Sequence, residues 1–327
     1  MSALLFLLHG LTLALAWFLG VNAVATLFVV AVAARLTRQN RVQTPRFWLA
    51  LRLLPAAASI GLVAAVFLPS YWKYEPRDYT EGFDITLATA AVVAVVVGVS
   101  AIARGAAAWL RASRRAQAWL QMAHPLTLAG TPMRAFEVDA DAPIVALVGV
   151  LRPRLFIARR VVGALTDEEL AASVAHELGH WRALDNLKRL AMRTAPDLLA
   201  TTSVASDLER RWASASEHLA DRRACETVNV VDRGRARCAL ASAIVKVARM
   251  TAPMAPTAEP ICNLVDCGDI ASRVHSLLDD GTPAVARAPS RRRWVGPGVA
   301  AAALVFGYAP LLRAVHLATE ILVHTLP

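Results

Sequence analysis

The chain has 327 residues, of which 56% are hydrophobic, and its mean hydropathy is +0.45. This composition is too apolar for an ordinary soluble protein and predicts an integral membrane protein. The formal net charge of +10 would suit nucleic-acid binding, but arginines beside membrane spans explain it more simply. Because no basic motif is interleaved with aromatic residues, we expect no direct nucleic-acid binding.

Four apolar runs are predicted to be membrane-spanning helices. Residues 3–34 form the first, either as one long tilted helix or as a helix with an interfacial extension. The second covers residues 47–72 and contains Arg52, whose long side chain would be able to snorkel to the membrane surface. The third and fourth runs cover residues 85–103 and 294–312.

Arginine clusters beside these runs predict the orientation in the membrane. They lie at residues 35–46, 104–115 and 287–293. Positive charge stays on the cytoplasmic side, so four spans place all three clusters inside and the polar, aromatic loop 71–84 outside. Both termini are then outside, and the segment between the third and fourth spans is cytoplasmic. The predicted location is a bacterial-type inner (cell) membrane, with multiple passes.

The segment between the third and fourth spans begins with signals for a small β-sheet. Residues 136–139, 146–150 and 155–158 read as short strands. One of them could pair with the backbone of an extended substrate, or could instead be an internal strand covered by a helix. The sequence leaves these alternatives open.

A well-marked helix follows the strands. Thr166 and Glu169 have the spacing of a capping box, in which each side chain accepts from the backbone amide of the other. Leu170, Val174 and Leu178 recur at a helical period and give this helix an apolar stripe.

Two histidines on this helix form the central motif of the sequence. His176 and His180 are four residues apart, so they lie on one helical face and can bind the same metal ion. Glu177 is then placed to act on a water molecule at the metal rather than on the metal itself. The alternative is a chance pair of histidines on an amphipathic helix.

A second acidic motif downstream favours the metal site. Glu217 can supply the third protein ligand, and Asp221, one turn later, can accept the free N–H of a liganding histidine. The alternative is an exposed acidic patch among arginines. Both motifs together predict one catalytic Zn²⁺ per chain, held by His176, His180 and Glu217.

Two further segments bear on the surroundings of this site. Residues 187–206 mix charges with leucines and contain Pro196, which predicts a partly buried or membrane-skimming helix rather than a span. Residues 250–260 are rich in proline and alanine and read as a loop near the site. The cysteines form no Cys-x-x-Cys pair, so free thiols are predicted at Cys225, Cys238, Cys262 and Cys267.

The motifs His176-Glu-Leu-Gly-His180 and Glu217-x-x-Ala220-Asp221 resemble those of the gluzincin membrane metallopeptidases. Within these the chain is most similar to BlaR/MecR-type antirepressor proteases, with HtpX/Ste24-type proteases next. Between the two motifs, the Arg-Ala-Leu-Asp-Asn run at residues 182–186 also resembles the family. The likeness extends upstream to residues 148–157 and downstream to residues 272–278. HtpX-type chains place membrane spans between their zinc ligands, and this chain is not expected to do so.

The resemblance implies a mainly α protein with a small β-sheet, in which about four transmembrane helices carry a cytoplasmic zincin-type (gluzincin) protease domain. The domains are predicted as a membrane domain at 1–116 with three spans, a zinc metalloprotease domain at 117–290, and a C-terminal transmembrane helix at 291–327. BlaR/MecR sensors carry a penicillin-binding domain after their last span. None follows within residues 1–327, so β-lactam sensing is not expected.

The implied activity is a zinc-dependent endopeptidase in which Glu177 is the general base and Asp221 supports a ligand. Its expected partners are a protein or peptide substrate, such as a transcription repressor, and membrane lipids. Membrane-protein quality control and a non-catalytic scaffold or signalling role are the alternatives. Asp185 is interpreted as structural support, by fixing the helix end or pairing with an arginine. The candidates for oxyanion or substrate contacts are Arg222, Arg223, His218, Val148 and Gly149.

Overall fold

The computed structural model describes residues 3–39, 43–76, 85–128, 131–140, 142–150, 152–228, 233–250, 261–263, 270–279 and 295–325. These residues are mostly helical and contain one small mixed sheet, which confirms the predicted mainly α class. Within the described residues, three helical segments are long and apolar enough to cross a membrane: Ala3–Arg38, Pro45–Tyr74 and Ile85–Gln121.

The first three predicted spans correspond to four helices of the structure. Helix α1 (Ala3–Gln39) is continuous, so residues 3–34 belong to one helix. Helix α2 (Pro45–Leu62) passes through a π-helical turn, Val63–Phe67, into α3 (Leu68–Tyr74). Helix α4 (Ile85–Gln121) crosses the predicted domain boundary at residues 116 and 117 without a break.

The fourth predicted span falls on helix α11 (Val295–Thr325). Its 31 residues exceed the ~20 needed to cross a bilayer, so its length is compatible with a span. The number of four spans nevertheless stays a prediction.

The prediction for Arg52 was wrong. Its side chain is 2% exposed and ion-pairs with Asp197 at 2.8 Å and with Glu209 at 3.0 Å. A buried guanidinium needs acceptors for its N–H groups, and α2 lies against helices that supply them. The sequence pattern shows only the apolar run around Arg52, which is why snorkelling to a membrane surface was the expectation.

The sheet follows α4 and has the strand order β1-β2-β4-β3-β5. Its strands are Ala123–Leu126, Ala135–Val138, Val145–Val148, Arg154–Ala158 and Ile261–Asn263. Strands β2 and β4 are parallel, and every other pair is antiparallel. The three predicted strands correspond to β2, β3 and β4, whereas β1 and β5 were missed. Strand β3 lies between β4 and β5 and is therefore an internal strand of the sheet, not an edge strand that could pair with a substrate backbone.

The two faces of the sheet pack on different helices, as the alternation of side chains along a strand requires. Phe156 of β4 faces the C-terminal end of α4, where its ring lies 5.4 Å from that of Trp119 in an edge-to-face contact. Leu155 and Ile157 on the other face belong to a buried cluster with α6 (Asp167–Ala183) and α9 (Arg233–Met250). Helix α4 therefore links the membrane helices directly to the sheet.

The remaining helices are α5 (Arg159–Ala164), α6 (Asp167–Ala183), α7 (Asp185–Thr194), α8 (Ser203–Val228), α9 (Arg233–Met250) and α10 (Ile270–Leu278). The single helix predicted over residues 187–206 is wrong: α7 ends at Thr194, and a 3-10 turn, Leu198–Thr201, precedes α8. Pro196 cannot donate to a helical ladder, and Asp197 caps the turn by accepting from the Ala200 amide at 2.8 Å. Part of the segment is buried as predicted, including Met192 and Leu199.

The side chains of two of the four predicted free cysteines are described, and both are free thiols. Cys225 is buried and Cys238 is exposed. Several other predictions lie outside the described residues. These are the loop residues 77–84, most of the proline-rich segment at 251–260, Cys267 and the basic cluster at 287–293.

Candidate metal centre

Helix α6 is fixed at both ends. The predicted capping box is present: the Glu169 amide donates to Thr166 Oγ1 at 3.3 Å, and the Thr166 amide donates to Glu169 Oε2 at 2.8 Å. The helix ends at Ala183, its C-cap Leu184 has a left-handed φ of 58°, and α7 begins at the next residue. A left-handed conformation is uncommon for leucine, and here it separates α6 from α7, whose first residue, Asp185, contacts His180 at 2.8 Å.

Helices α6 and α8 bring three potential metal ligands together. His176 Nε2 lies 3.1 Å from His180 Nε2, and Glu217 carboxylate oxygens lie 3.4 Å from each of these nitrogens. All three residues are at most 1% exposed. Gly179 contributes to this approach, because a Cβ there would lie 3.4 Å from the Ala220 Cα on α8.

The spacing of these atoms fits a zinc ion. Zinc bonds of about 2.0–2.1 Å at tetrahedral angles place neighbouring ligand atoms about 3.3–3.4 Å apart. The 3.1 Å between the two imidazole nitrogens is close to this value. Glu217 approaches them with different oxygens, Oε2 at 3.4 Å from His176 and Oε1 at 3.4 Å from His180, and each residue can offer one ligand atom within 4.8 Å of the others. Two imidazoles and a carboxylate form one of the ligand sets typical of catalytic zinc, in which the fourth position is left for water.

Each histidine has a carboxylate at its other ring nitrogen. His176 Nδ1 lies 2.8 Å from Asp221 Oδ1, and His180 Nδ1 lies 2.8 Å from Asp185 Oδ2. Such carboxylates hold the tautomer in which Nε2 is free to bind metal. The sequence predicts only structural support for Asp185. Its position five residues after His180 is visible in the sequence, but the left-handed conformation of Leu184 is not.

Asp185 is itself held by two donors. Ser216 Oγ donates to Asp185 Oδ2 at 2.6 Å, and Lys188 Nζ donates to Oδ1 at 2.8 Å. Burial raises the pKa of Asp185, but hydrogen bonds and charge from His180, Lys188 and Ser216 lower it to about 2. Because Ser216 directly precedes Glu217, helix α8 supports both a ligand and the carboxylate that orients another ligand.

Arg273 of α10 was missed as a member of this site. Its guanidinium is 1% exposed and donates to both oxygens of Asp221, at 2.9 and 2.7 Å. A third nitrogen lies 3.1 Å from Glu217 Oε2. The surrounding segment was part of the family resemblance, but nothing in the sequence paired Arg273 with acids on α8.

Glu177 is buried beside the ligand group. Both of its carboxylate oxygens are buried without a hydrogen-bond partner among the described residues, and the residue is 0% exposed. Burial raises the pKa of Glu177 to about 7, although the charges of His176, His180 and Arg273 lower it. An orphaned buried carboxylate requires an explanation, and a water or metal ion at this position would supply one.

Burial and charge also affect the pKa values of the ligands. Burial raises the pKa of Glu217, but His180 and Arg273 bring it well below its ordinary value. Burial lowers the pKa of His176, whereas Asp221 and Glu217 outweigh that effect and raise it. The site therefore keeps Glu217 as the carboxylate that a cation prefers.

For the predicted oxyanion and substrate contacts, the structure gives the exposure or the neighbours of each residue. Arg222 is exposed, Arg223 is partly exposed, and His218 Nδ1 lies 3.3 Å from Ser276 Oγ on α10. Val148 is buried at the end of β3, and Gly149 follows it with a φ of 106°.

Asn186 connects this end of β3 to the turn that follows α6. Its Nδ2 donates to Leu147 O at 3.0 Å and to Gly149 O at 2.9 Å. Since Asn186 follows Asp185 directly, β3 is tied to the residue that orients His180.

A second group of potential ligands lies on α3 and α11. The ligand atoms of Glu75, His316 and Glu320 all lie within 4.8 Å of one another, and each residue is partly exposed. His316 Nδ1 is 3.8 Å from Glu75 Oε2, and the Tyr74 ring stacks on His316. Full burial, closer approach and an adjacent Glu177 favour the group on α6 and α8 as the metal centre.

Comparison with known proteins agrees with this geometry. Residues 109–254 match Peptidase family M48. The matched segment contains His176, Glu177, His180 and Glu217, and the match supports a zinc metallopeptidase family. No curated protein matches the chain. With the apolar helices at the N-terminus, the match to the M48 family indicates a membrane-associated metallopeptidase.

We predict that Asp185→Asn weakens zinc binding about 10- to 100-fold, because it removes the charge that orients the His180 ring. Competition with a chromophoric chelator measures the affinity. Lys188→Met is the matched control, since Lys188 contacts the other oxygen of Asp185 and should leave the affinity close to wild type. Equal zinc affinity in Asp185→Asn and wild type would contradict this role.

Proposed function

We propose that the protein is a membrane-anchored, zinc-dependent endopeptidase. The observation that carries this proposal is that the buried side chains of His176, His180 and Glu217 can each offer one ligand atom within 4.8 Å of the others, with the orphaned carboxylate of Glu177 beside them. The match of residues 109–254 to Peptidase family M48 supports it. One Zn²⁺ per chain would be held by the two imidazoles and the Glu217 carboxylate.

The residues of the chain have separate tasks in this reaction. When bound, Zn²⁺ supplies Lewis acidity, which lowers the pKa of a coordinated water to about 7 and polarises the scissile carbonyl. Glu177 takes a proton from the attacking water and delivers it to the leaving nitrogen as the C–N bond breaks. Asp221 and Asp185 hold the two imidazoles in the tautomer with free Nε2 atoms.

Regulatory proteolysis of a cytoplasmic or membrane-proximal protein is the function we favour, with a transcription repressor as the candidate substrate. HtpX-type quality-control proteases have spans between their zinc ligands. Here the chain between His180 and Glu217 is fully described, and it forms α7, a 3-10 turn and the first half of α8. None of the three candidate spans lies there, which favours the regulatory reading.

We also propose that the protease domain is cytoplasmic and that the membrane is a bacterial-type inner membrane. The native Cys238 is an exposed thiol on α9 and therefore reports the side on which this domain lies. A membrane-impermeant maleimide should leave Cys238 unmodified in intact cells and modify it after permeabilisation. Modification in intact cells would overturn the orientation.

We predict that Glu177→Gln gives a folded, zinc-loaded and inactive protein. Glutamine has almost the shape of glutamate and lies outside the ligand set, so zinc content and melting temperature should stay near wild type. Loss of a general base typically costs about 10²–10⁴-fold in rate. Zinc content, thermal unfolding and cleavage of a candidate repressor are compared between variant and wild type.

Glu168→Gln provides the matched control for this substitution. Glu168 lies on the same helix, but its side chain is 53% exposed and pairs with Arg235. This variant should keep full zinc and full activity. Undiminished cleavage by zinc-loaded Glu177→Gln would eliminate the proposed mechanism and favour a non-catalytic role.

A further inference from the structure

The short segment between α7 and α8 is bound by side chains from three helices of the membrane set. Asn22 of α1 donates to Pro196 O at 3.1 Å and accepts from the Leu198 amide at 2.9 Å. Arg104 of α4 donates to Ala195 O at 3.1 Å. Arg52 of α2 supplies the third set of contacts. We call residues 192–198 the anchor turn.

Arg52 joins the anchor turn to α8. It donates to Met192 O at 2.9 Å, to Asp197 Oδ2 at 2.8 Å and to Glu209 Oε1 at 3.0 Å. The Arg52 and Asp197 side chains are 2% and 0% exposed. If the anchor turn moved away from α2, buried charges would lose their partners, which is strongly unfavourable. The turn is therefore held more firmly than an ordinary surface loop.

The helices that leave the anchor turn carry the metal site at their other ends. Helix α7 starts at Asp185, which orients His180, and it runs without a break into the anchor turn, which includes its last residues, 192–194. Helix α8 carries Glu209, which contacts Arg52, and two turns later Ser216 and Glu217. A displacement of the anchor turn would therefore move Glu217 through α8. It would also move Asp185, the carboxylate that orients His180, through α7.

We propose that Asn22, Arg52 and Arg104 are positioning residues through which the packing of the membrane helices sets the geometry of the metal site. This inference rests on the proposed zinc site. It gives the membrane helices a route to regulate that site: a rearrangement among α1, α2 and α4 changes metal affinity and activity by moving the anchor turn. Coupling between two sites is reciprocal, so zinc binding must also stabilise the anchor turn.

An anchor that only attached the domain to the membrane would behave differently. Its loss would lower the melting temperature but would leave zinc affinity unchanged in the molecules that remain folded. The positioning role requires a change in zinc affinity itself. It also requires that zinc slow hydrogen exchange of amides in the turn, which no simple attachment would produce.

The test uses the full chain in detergent micelles, well below the melting temperature of each variant. Asn22→Ala and Arg52→Gln should weaken zinc binding about 5- to 150-fold in chelator competition, the usual range of coupling between sites. Arg52→Lys, which keeps the charge, should recover part of the loss. Asn22→Ala removes no charge and is the milder change. If Arg52→Gln does not fold, Asn22→Ala alone decides the test.

Arg211→Gln is the matched control. Arg211 also joins α8 to the membrane helices, through Thr37 Oγ1 at 3.1 Å and the Trp48 ring, but it does not contact the anchor turn. It should leave zinc affinity unchanged. An equal loss of affinity in this control would overturn the proposal by showing that any loosening of α8 has the same effect.

Hydrogen exchange gives a second readout that does not depend on activity. Adding zinc to wild type and to Glu177→Gln should slow exchange of the Leu198 amide, which donates to Asn22, whereas Glu217→Ala should show no such slowing. Unchanged exchange with zinc, together with wild-type affinity in Asn22→Ala and Arg52→Gln, would overturn the coupling alone. If wild type bound no zinc, the proposed function itself would fail.

Discussion

The contact between α6 and α8 is the constraint on which the rest of this structure depends. It places the Glu217 carboxylate against two imidazoles in a region with almost no exposure to solvent. Four carboxylates are buried there, and among the described residues the cations that contact them are Arg273 and the partly exposed Lys188. With the four carboxylates ionised and both imidazoles neutral, as metal binding requires, a deficit of two positive charges remains. One divalent cation cancels that deficit, so the same ion that would serve catalysis also relieves the cost of burying the acids.

Helix α8 belongs at once to the metal site and to the packing of the membrane helices. Its Trp212, which is 1% exposed, lies in a buried cluster with Val29 of α1 and Trp48 of α2. Glu217 follows Trp212 by little more than one helical turn. The apolar second half of α1 therefore shares a buried cluster with the helix that carries Glu217.

Local sequence signals correctly predicted the capping box and the helix that carries both histidines, because their spacing has a direct geometrical meaning. The capping box and the four-residue histidine interval depend on a single helix, and the sequence specifies a single helix reliably. The small sheet was predicted in part: β1 contains a histidine and a proline, and β5 has three residues, so neither shows a clear alternating pattern.

The features missed by sequence reasoning depend on contacts between distant segments. Arg273 is 52 residues from the Asp221 it pairs with, and Arg52 is 145 residues from Asp197. Arginines in an apolar or basic context look like surface residues until their acceptors are known. Similarly, Asp185 reaches His180 only because Leu184 is left-handed, a conformation that no common signal for leucine predicts.

X-ray absorption at the zinc edge of the purified, zinc-loaded protein tests the central claim most directly. The structure predicts a first shell of nitrogen and oxygen only, at about 2.0–2.1 Å, with the outer-shell scattering of two imidazoles. Glu217→Ala should change this shell or abolish binding. Sulfur scattering near 2.3 Å would assign the ion to cysteine instead and would contradict a centre built from His176, His180 and Glu217.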